Sequence, residues 1–171
     1  ELIENSIDAE STSIEVEIGE GGSAYMRITD NGKGMTEEDA RLAVLRHATS
    51  KIQCVEDLFD IASLGFRGEA LASIASVSHF VLTTRTVEQE LGTRILIDGG
   101  TFTDCIPYGA APGTTIEVKE LFFNTPARRK FLKTERTESS KIQDIVGKLA
   151  LSNPHIAFKL TIDDRVAIIT P

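Results

Sequence analysis

The chain has 171 residues, a formal net charge of −8, 41% hydrophobic residues and 26% charged residues. These values suit one globular domain with its own core, and no stretch reaches the roughly 20 apolar residues that a membrane helix needs. The acidic balance argues against a surface that binds nucleic acid throughout, and the widely spaced Cys54 and Cys105 favour free thiols in a reducing cytoplasm.

The first nine residues, ELIENSIDA, predict the last part of a helix. Helices usually begin after a Ser, Thr, Asp or Asn cap, and none precedes Glu1. We therefore expect the chain to begin inside a structural element, as a domain truncated at its N-terminus.

Alternating apolar residues then predict strands at 13–18 and 24–28, joined by a GEGGS hairpin turn. Thr36 is a candidate N-cap for the next helix, with Asp39 as a weaker capping-box partner. Residues 45–66 are polar and irregular. Helices are predicted at 68–76, 126–132 and 136–151, the last ending at Asn153-Pro154, and strands at 78–86, 92–98, 101–106, 113–118, 156–162 and 166–170.

This order predicts an α+β fold. Strand pairs joined by short turns imply antiparallel pairing, and the helices can cover one face of the sheet. We expect a two-layer α/β sandwich with a mixed, mostly antiparallel sheet and helices on one face.

Common nucleotide and hydrolase motifs are missing from the sequence. It has no GxxxxGK[ST] loop, no GxGxxG after a strand, no Cys/His metal cluster and no GxSxG elbow. The candidate chemistry must come from other segments.

Two segments carry carboxylates in suggestive places. Glu1, Asn5 and Asp8 share one helix face, where a carboxylate can act as a base for water and an amide oxygen can bind Mg²⁺. The alternative is a solvated polar helix face. In DNGKGM, Asp30 ends a strand before two glycines, so a buried carboxylate could accept the exocyclic amine of adenine. The alternative is an ordinary Asp-Asn-Gly turn.

Two further segments could complete a nucleotide site. LGFRGEAL at 64–71 places glycines before a helix, which can expose N–H groups to a triphosphate. GTTIEV at 113–118 could put a threonine hydroxyl near a base pocket. The alternatives are a helix start with flexible glycines and an ordinary strand.

Taken together, the order and spacing of these segments resemble the gyrase/chaperone/histidine-kinase/MutL ATPase superfamily, which has the Bergerat fold. ELIENSIDA, ITDNGKGM, RHATSKI, LGFRGEALASIASVS and LFFNTPARRKFLKTE are similar to motifs of the MutL family of DNA mismatch repair ATPases and span residues 1–135. Gyrase B and the ninety-kilodalton chaperones would show different glycine loops in place of GFRGEA. FFNTPARRKFL is the most specific segment.

The resemblance implies a role for each matching residue. Glu1 is the expected general base and Asn5 the expected Mg²⁺ ligand. In the family pattern Asp30 would bind adenine and Thr114 would support it through water. The base pocket is shaped by Gly32, Gly34 and Met35. The lid over the phosphates includes Thr49, Ser50 and Lys51, and the phosphate-binding loop consists of Gly65, Phe66, Arg67, Gly68, Glu69, Ala70 and Leu71.

The resemblance also implies a function. We expect a cytoplasmic, Mg²⁺-dependent, slow ATPase that acts as a switch and has no membrane association. ATP binding would order the lid and promote a homodimer of ATPase domains, which relays mismatch recognition by MutS to strand removal. The family's segment before Glu1, its second (transducer) domain and its C-terminal domain have no counterpart here. We therefore expect residues 1–171 to form a single ATP-binding domain with weak activity and a mobile lid around 45–66.

A basic segment, RRKFLKTER, raises a second class of function. Arg128, Arg129 and Lys130 could neutralise DNA phosphates, so the protein could be a DNA-binding clamp in which ATP is secondary. The alternative is a solvated helix start. A third hypothesis, a chaperone-like ATPase, is disfavoured by the GFRGEA loop and the FFNTPARRKF segment.

Overall fold

The computed structural model describes residues 1–45 and 70–171. The helices are α1 (Leu2–Asp8), α2 (Glu37–Ala43), α3 (Ala70–Ala75), α4 (Pro126–Arg129) and α5 (Glu135–Ser152). The strands are β1 (Ser13–Gly19), β2 (Tyr25–Asp30), β3 (His79–Arg85), β4 (Gly92–Asp98), β5 (Thr101–Tyr108), β6 (Gly113–Lys119), β7 (Ala157–Ile162) and β8 (Arg165–Ile169). Within the described ranges these elements follow the predicted ones closely, except at α4.

All eight strands form one sheet in the order β5-β4-β3-β6-β2-β1-β7-β8. Six neighbouring pairs are antiparallel, and the pair formed by β1 and β7 is parallel. A parallel pair cannot be joined by a tight turn, and the chain reaches β7 through the long helix α5. The mixed, mostly antiparallel sheet is confirmed.

The strand pattern explains which face of the sheet is buried. In β1, Ile14, Val16 and Ile18 are buried, whereas Glu15 and Glu17 between them point to the other face. Two apolar clusters lie under the helices. One includes Val146 and Ala150 of α5, and the other includes Ala40 of α2 and Ala75 of α3. The two-layer arrangement with helices on one face is confirmed.

Thr36 caps α2 as the sequence predicts. Its hydroxyl oxygen accepts a hydrogen bond from the Asp39 N–H at 3.2 Å and donates to the Asp39 carboxylate at 2.8 Å. Asp39 thus serves as a partner of the cap hydroxyl, since its side chain is too short to reach back as the Glu of a capping box does.

Helix α4 is shorter than the predicted helix 126–132. It ends at Arg129, and the next turns are tightened by bonds from Phe131 N to Arg128 O at 3.0 Å and from Leu132 N to Arg129 O at 3.2 Å. Such i to i−3 bonds are typical of a helix end, so the predicted helix extends past the regular one.

Among the helices of the described ranges, none is long and apolar enough to cross a membrane.

Gly113, the first residue of β6, should be indispensable to this sheet. Its φ is +120°, and a Cβ there would overlap the main-chain carbonyl oxygen of Asp30. We expect Gly113→Ala to lower the free energy of unfolding by roughly 2–4 kcal/mol in a denaturant titration. Gly109→Ala is the matched control, because a Cβ at Gly109 meets nothing within 4 Å. Equal stability of the two variants would contradict this account.

Candidate functional site

The helix-facing side of the sheet changes from apolar to polar at one end of three neighbouring strands. Asp30 of β2 pairs with Thr114 of β6, and Thr114 pairs with Thr84 of β3. Because side chains alternate with a period of two, the row two positions deeper lies on the same face. That deeper row is entirely aliphatic and consists of Ile28, Ile116 and Leu82. The polar row therefore forms the boundary of the core.

Asp30 is the charged centre of this row. Its Oδ1 accepts hydrogen bonds from the N–H groups of Gly32 at 2.9 Å and Thr114 at 3.2 Å, and its Oδ2 accepts one from the Ser6 hydroxyl at 2.8 Å. An ionised carboxylate has about four acceptor positions. The Ser11 hydroxyl also lies close enough to favour the ionised carboxylate, but its single proton is donated to the Ser6 carbonyl oxygen at 2.6 Å. Among the described residues Oδ2 therefore accepts the bond from Ser6, and its second lone pair can accept another donor.

Burial raises the pKa of Asp30 above its ordinary value. The hydrogen-bonding groups of Gly32, Ser6, Thr114 and Ser11 lower the pKa, because they favour the ionised form. A carboxylate that is 8% exposed and incompletely hydrogen-bonded is a strong acceptor for a ligand N–H group.

A second hydrogen-bond network lies beside Asp30. The fully buried Thr84 hydroxyl accepts from the Met35 N–H at 2.9 Å, contacts the Gly113 carbonyl oxygen at 3.0 Å, and lies 3.0 Å from the Thr114 hydroxyl. This network joins β3, β6 and the loop after β2. Its members form one wall of the candidate site.

The DNGKG loop approaches two other backbone segments closely. A Cβ on Gly32 would lie 2.6 Å from the Ala9 carbonyl oxygen, and one on Gly34, whose φ is +66°, would overlap the Arg85 carbonyl oxygen. The Lys33 N–H donates to Ala9 O at 3.0 Å. Glycine is required at both positions because no side chain fits between these backbones.

Helix α1 lies along the same site. Ser6 reaches Asp30, and Asn5, its neighbour in sequence, is half-buried. Glu1 is exposed and stands at the N-cap position, one helical turn before Asn5. The predicted base and metal ligand therefore share a helix with a residue that contacts Asp30.

Three of the elements that carry predicted site residues converge on one core cluster. Leu2 of α1, Met35 of the loop and Leu71 of α3 all pack against the buried residues that include Leu82 and Ile116. Ala70 begins the described part of α3. The remaining predicted phosphate-loop and lid residues lie outside the described residues: Thr49, Ser50, Lys51, Gly65, Phe66, Arg67, Gly68 and Glu69.

The basic residues Arg128, Arg129 and Lys130 lie at α4 and just after it, with exposed side chains. Phe131, which follows them, is 82% exposed. Within residues 1–45 and 70–171, no acidic side chain forms an ion pair with these three cations.

Two residues of the site were missed by the sequence analysis. Thr84 could have been found, because it continues the inward-facing positions of Phe80 and Leu82 along β3, where a polar residue is unexpected. Ser6 had no such signal, because its function depends on the packing of α1 against β2. In the part of the chain that the structure describes, no group of three or more His, Cys, Asp or Glu could hold a metal ion.

Comparison with known protein families identifies a match over residues 1–98. The matching family is described as histidine kinase-, DNA gyrase B-, and HSP90-like ATPases. The match covers more than half of the chain and includes α1, the DNGKG loop and Thr84.

Individual relatives give a closer comparison. The chain is 55% identical over 170 residues to the DNA mismatch repair protein MutL of Caldanaerobacter subterraneus subsp. tengcongensis, covering 99% of this chain and 29% of the relative. It thus spans less than a third of that protein's length.

Solved structures agree with the observed fold. The Aquifex aeolicus MutL ATPase domain complexed with ADP matches with a TM-score of 0.77 and 35% identity, over 98% of this chain and 59% of that one. The 43K ATPase domain of Thermus thermophilus gyrase B, in complex with an aminocoumarin, matches with a TM-score of 0.64 and 19% identity, over 96% and 42%. The second match shows the shared fold alone, which is the predicted Bergerat type.

The hydrogen bond from Ser6 should hold down the pKa of Asp30. Ser6→Ala removes a donor that favours the ionised carboxylate, so we expect the pKa of Asp30 to rise further. The measurement is an NMR titration of the Asp30 carboxyl carbon. Ser23→Ala is the control, since the Ser23 hydroxyl donates to the Glu20 carbonyl instead. A pKa that does not move in Ser6→Ala would show that this bond is absent in solution.

Proposed function

Because the chain belongs to the family of histidine kinase-, DNA gyrase B- and HSP90-like ATPases, we propose that residues 1–171 form a single ATP-binding domain that hydrolyses ATP slowly and acts as the switch of a MutL-type mismatch repair protein. The similarity to MutL covers nearly the whole chain and supports this member of the family over gyrase and the chaperones.

The observation that carries the proposal is the acceptor position left on Asp30. Adenine presents an exocyclic amine, which can donate to Oδ2 beside the bond from Ser6. Guanine has a carbonyl oxygen in the position of this amine. That oxygen has no proton to donate, so it would be repelled by the carboxylate. Gly32 and Gly34 bring the loop backbone close, and Met35 and Thr114 supply other walls of the base pocket.

We assign hydrolysis to α1. Glu1 would take a proton from the attacking water, since a carboxylate within hydrogen-bond reach can serve as a general base. Asn5 fits Mg²⁺ as an oxygen ligand, and a magnesium ion commonly takes one or two protein ligands, with phosphates and water filling the other positions. The bound ion would neutralise charge on the phosphates. Glu1, at the N-cap of α1, would position the water, and the helix would hold Asn5 beside the Asp30 site.

Phosphate binding is assigned to the predicted loop and lid. The LGFRGEAL segment, from Gly65 to Leu71, would hold the phosphates through its N–H groups, and Thr49, Ser50 and Lys51 would close over them. These assignments rest on the resemblance of the sequence motifs.

The wider role is a separate proposal, because the chain spans 29% of its MutL relative. We propose that ATP binding promotes a homodimer of ATPase domains, and that this step relays recognition of a mismatch by MutS to strand removal in the cytoplasm. An order–disorder change driven by contacts to the γ-phosphate is the expected physical basis.

Asp30→Asn tests the nucleotide assignment. We expect ATP affinity to fall at least about tenfold in calorimetry, because the amide no longer presents two acceptor oxygens to the pocket. Asp144→Asn, an exposed change on α5, is the charge-matched control and should bind ATP like the unchanged protein. Wild-type affinity in Asp30→Asn would overturn the proposal.

The same titration has a defined pH dependence. The amine of adenine donates to the ionised carboxylate, so the Asp30 contribution to affinity is present above its pKa and is lost as pH falls through that pKa. Because burial raises this pKa, the loss begins at a higher pH than for an exposed aspartate. Asp30→Asn should lack this acidic limb.

We also propose that the basic segment binds DNA weakly and without sequence preference. Replacing Arg128, Arg129 and Lys130 with Glu should flatten the dependence of DNA affinity on salt, because fewer counterions are released from the phosphates. The control replaces Lys141 and Lys148 of α5 with Glu. If the substitutions at Arg128, Arg129 and Lys130 leave the dependence of DNA affinity on salt unchanged, this segment does not bind DNA.

A further inference from the structure

We propose that Thr84 is a positioning residue that makes the pocket selective for the 6-amino group of adenine. The inference rests on the proposed function, since it requires the base to lie at Asp30. Thr84 is fully buried, so it acts on the ligand through Thr114 and Met35 and does not touch the base itself.

The argument begins with the single proton of each hydroxyl. The Gly113 carbonyl oxygen, 3.0 Å from Thr84 Oγ1, can only accept, and the Met35 N–H, 2.9 Å away, can only donate. Thr84 therefore gives its proton to Gly113. In the remaining contact, 3.0 Å to Thr114 Oγ1, either hydroxyl could donate. Because the single Thr84 proton is given to Gly113, we infer that the Thr114 hydroxyl is the donor.

The consequence is a fixed polarity at Thr114. With its proton directed at Thr84, Thr114 Oγ1 offers only lone pairs toward the space beside Asp30. Thr114 also donates its N–H to Asp30 Oδ1 at 3.2 Å, so the two residues are held together. Asp30 and Thr114 therefore both present acceptors to the ligand. Acceptors can bind an amine, directly or through a water, but they repel a carbonyl oxygen, which has no proton to donate.

Thr84 also sets the width of the site. Its hydroxyl joins the loop at Met35 to the first residue of β6 at Gly113, and the three strands are in register at this row. Loss of the hydroxyl would release the Met35 N–H and free the Thr114 proton to rotate. A freely rotating Thr114 hydroxyl could donate to a carbonyl oxygen and so accept the wrong base.

The strand next to β3 provides a matched control residue for Thr84. Thr93 of β4 pairs with Thr84 and is buried to a similar degree, and its hydroxyl takes no part in this network among the described residues. Thr84→Val and Thr93→Val each replace a buried hydroxyl with a methyl group of similar size. They differ in whether the hydroxyl directs Thr114.

The experiment compares ATP with inosine triphosphate, which carries a 6-carbonyl in place of the 6-amino group. Dissociation constants are measured by calorimetry on the full chain at one Mg²⁺ concentration. In Thr84→Val we expect ATP affinity to fall about tenfold and inosine triphosphate affinity to stay within about twofold, so that selectivity is largely lost. Thr84→Ser and Thr93→Val should keep the selectivity of the unchanged protein.

The ratio of the two affinities separates positioning from a structural defect. If Thr84→Val weakens both nucleotides equally, or leaves the ratio unchanged, the inference is overturned. Thr84→Ala, measured in the same way, replaces the valine variant if the latter does not fold. Asp30→Asn in the same series separates the two proposals. If Asp30→Asn leaves the ratio of ATP affinity to inosine triphosphate affinity unchanged, adenine does not bind at Asp30. If Asp30→Asn changes this ratio and Thr84→Val does not, only the role of Thr84 is rejected.

Discussion

A carboxylate buried at the edge of an apolar core must be hydrogen-bonded, and this requirement organises the described part of the molecule. Asp30 meets it with donors from three elements: the Ser6 hydroxyl of α1, the Gly32 N–H of the loop and the Thr114 N–H of β6. Leaving such a group without donors is costly, so α1, the loop and β6 are held in one relative position. The same contacts leave part of Oδ2 open to a ligand.

The carboxylate lies at the boundary between the apolar core and the candidate site. The aliphatic row of Ile28, Ile116 and Leu82 lies two positions before the polar row along each strand. The side chains of the core therefore end where those of the candidate site begin. The polar row faces the same side as the core and is accordingly sheltered from water, which strengthens its hydrogen bonds.

Much of the fold could be predicted because its signals are local. The alternation in β1 and β3, the Thr36 cap and the stop at Asn153 each depend on neighbouring residues, and the structure has them where the sequence predicts. The predicted end of the helix at 132 was wrong, because local sequence does not show where a helix tightens into i to i−3 bonds. The order of the strands in the sheet could not be derived from such signals, since pairing partners are distant in the chain.

The candidate site divides in the same way. The sequence by itself singled out Asp30, Gly32, Gly34 and Thr114 as candidate site residues, because a carboxylate at a strand end and glycines beside it are visible in short motifs. Only the tertiary structure decided that Ser6 donates to Asp30 and that the Thr84 and Thr114 hydroxyls meet, since these pairs of residues lie 24 and 30 positions apart in the chain. The physical reason is register: one row across β2, β6 and β3 is set by backbone pairing over the whole sheet, and no local pattern encodes which strands will be neighbours.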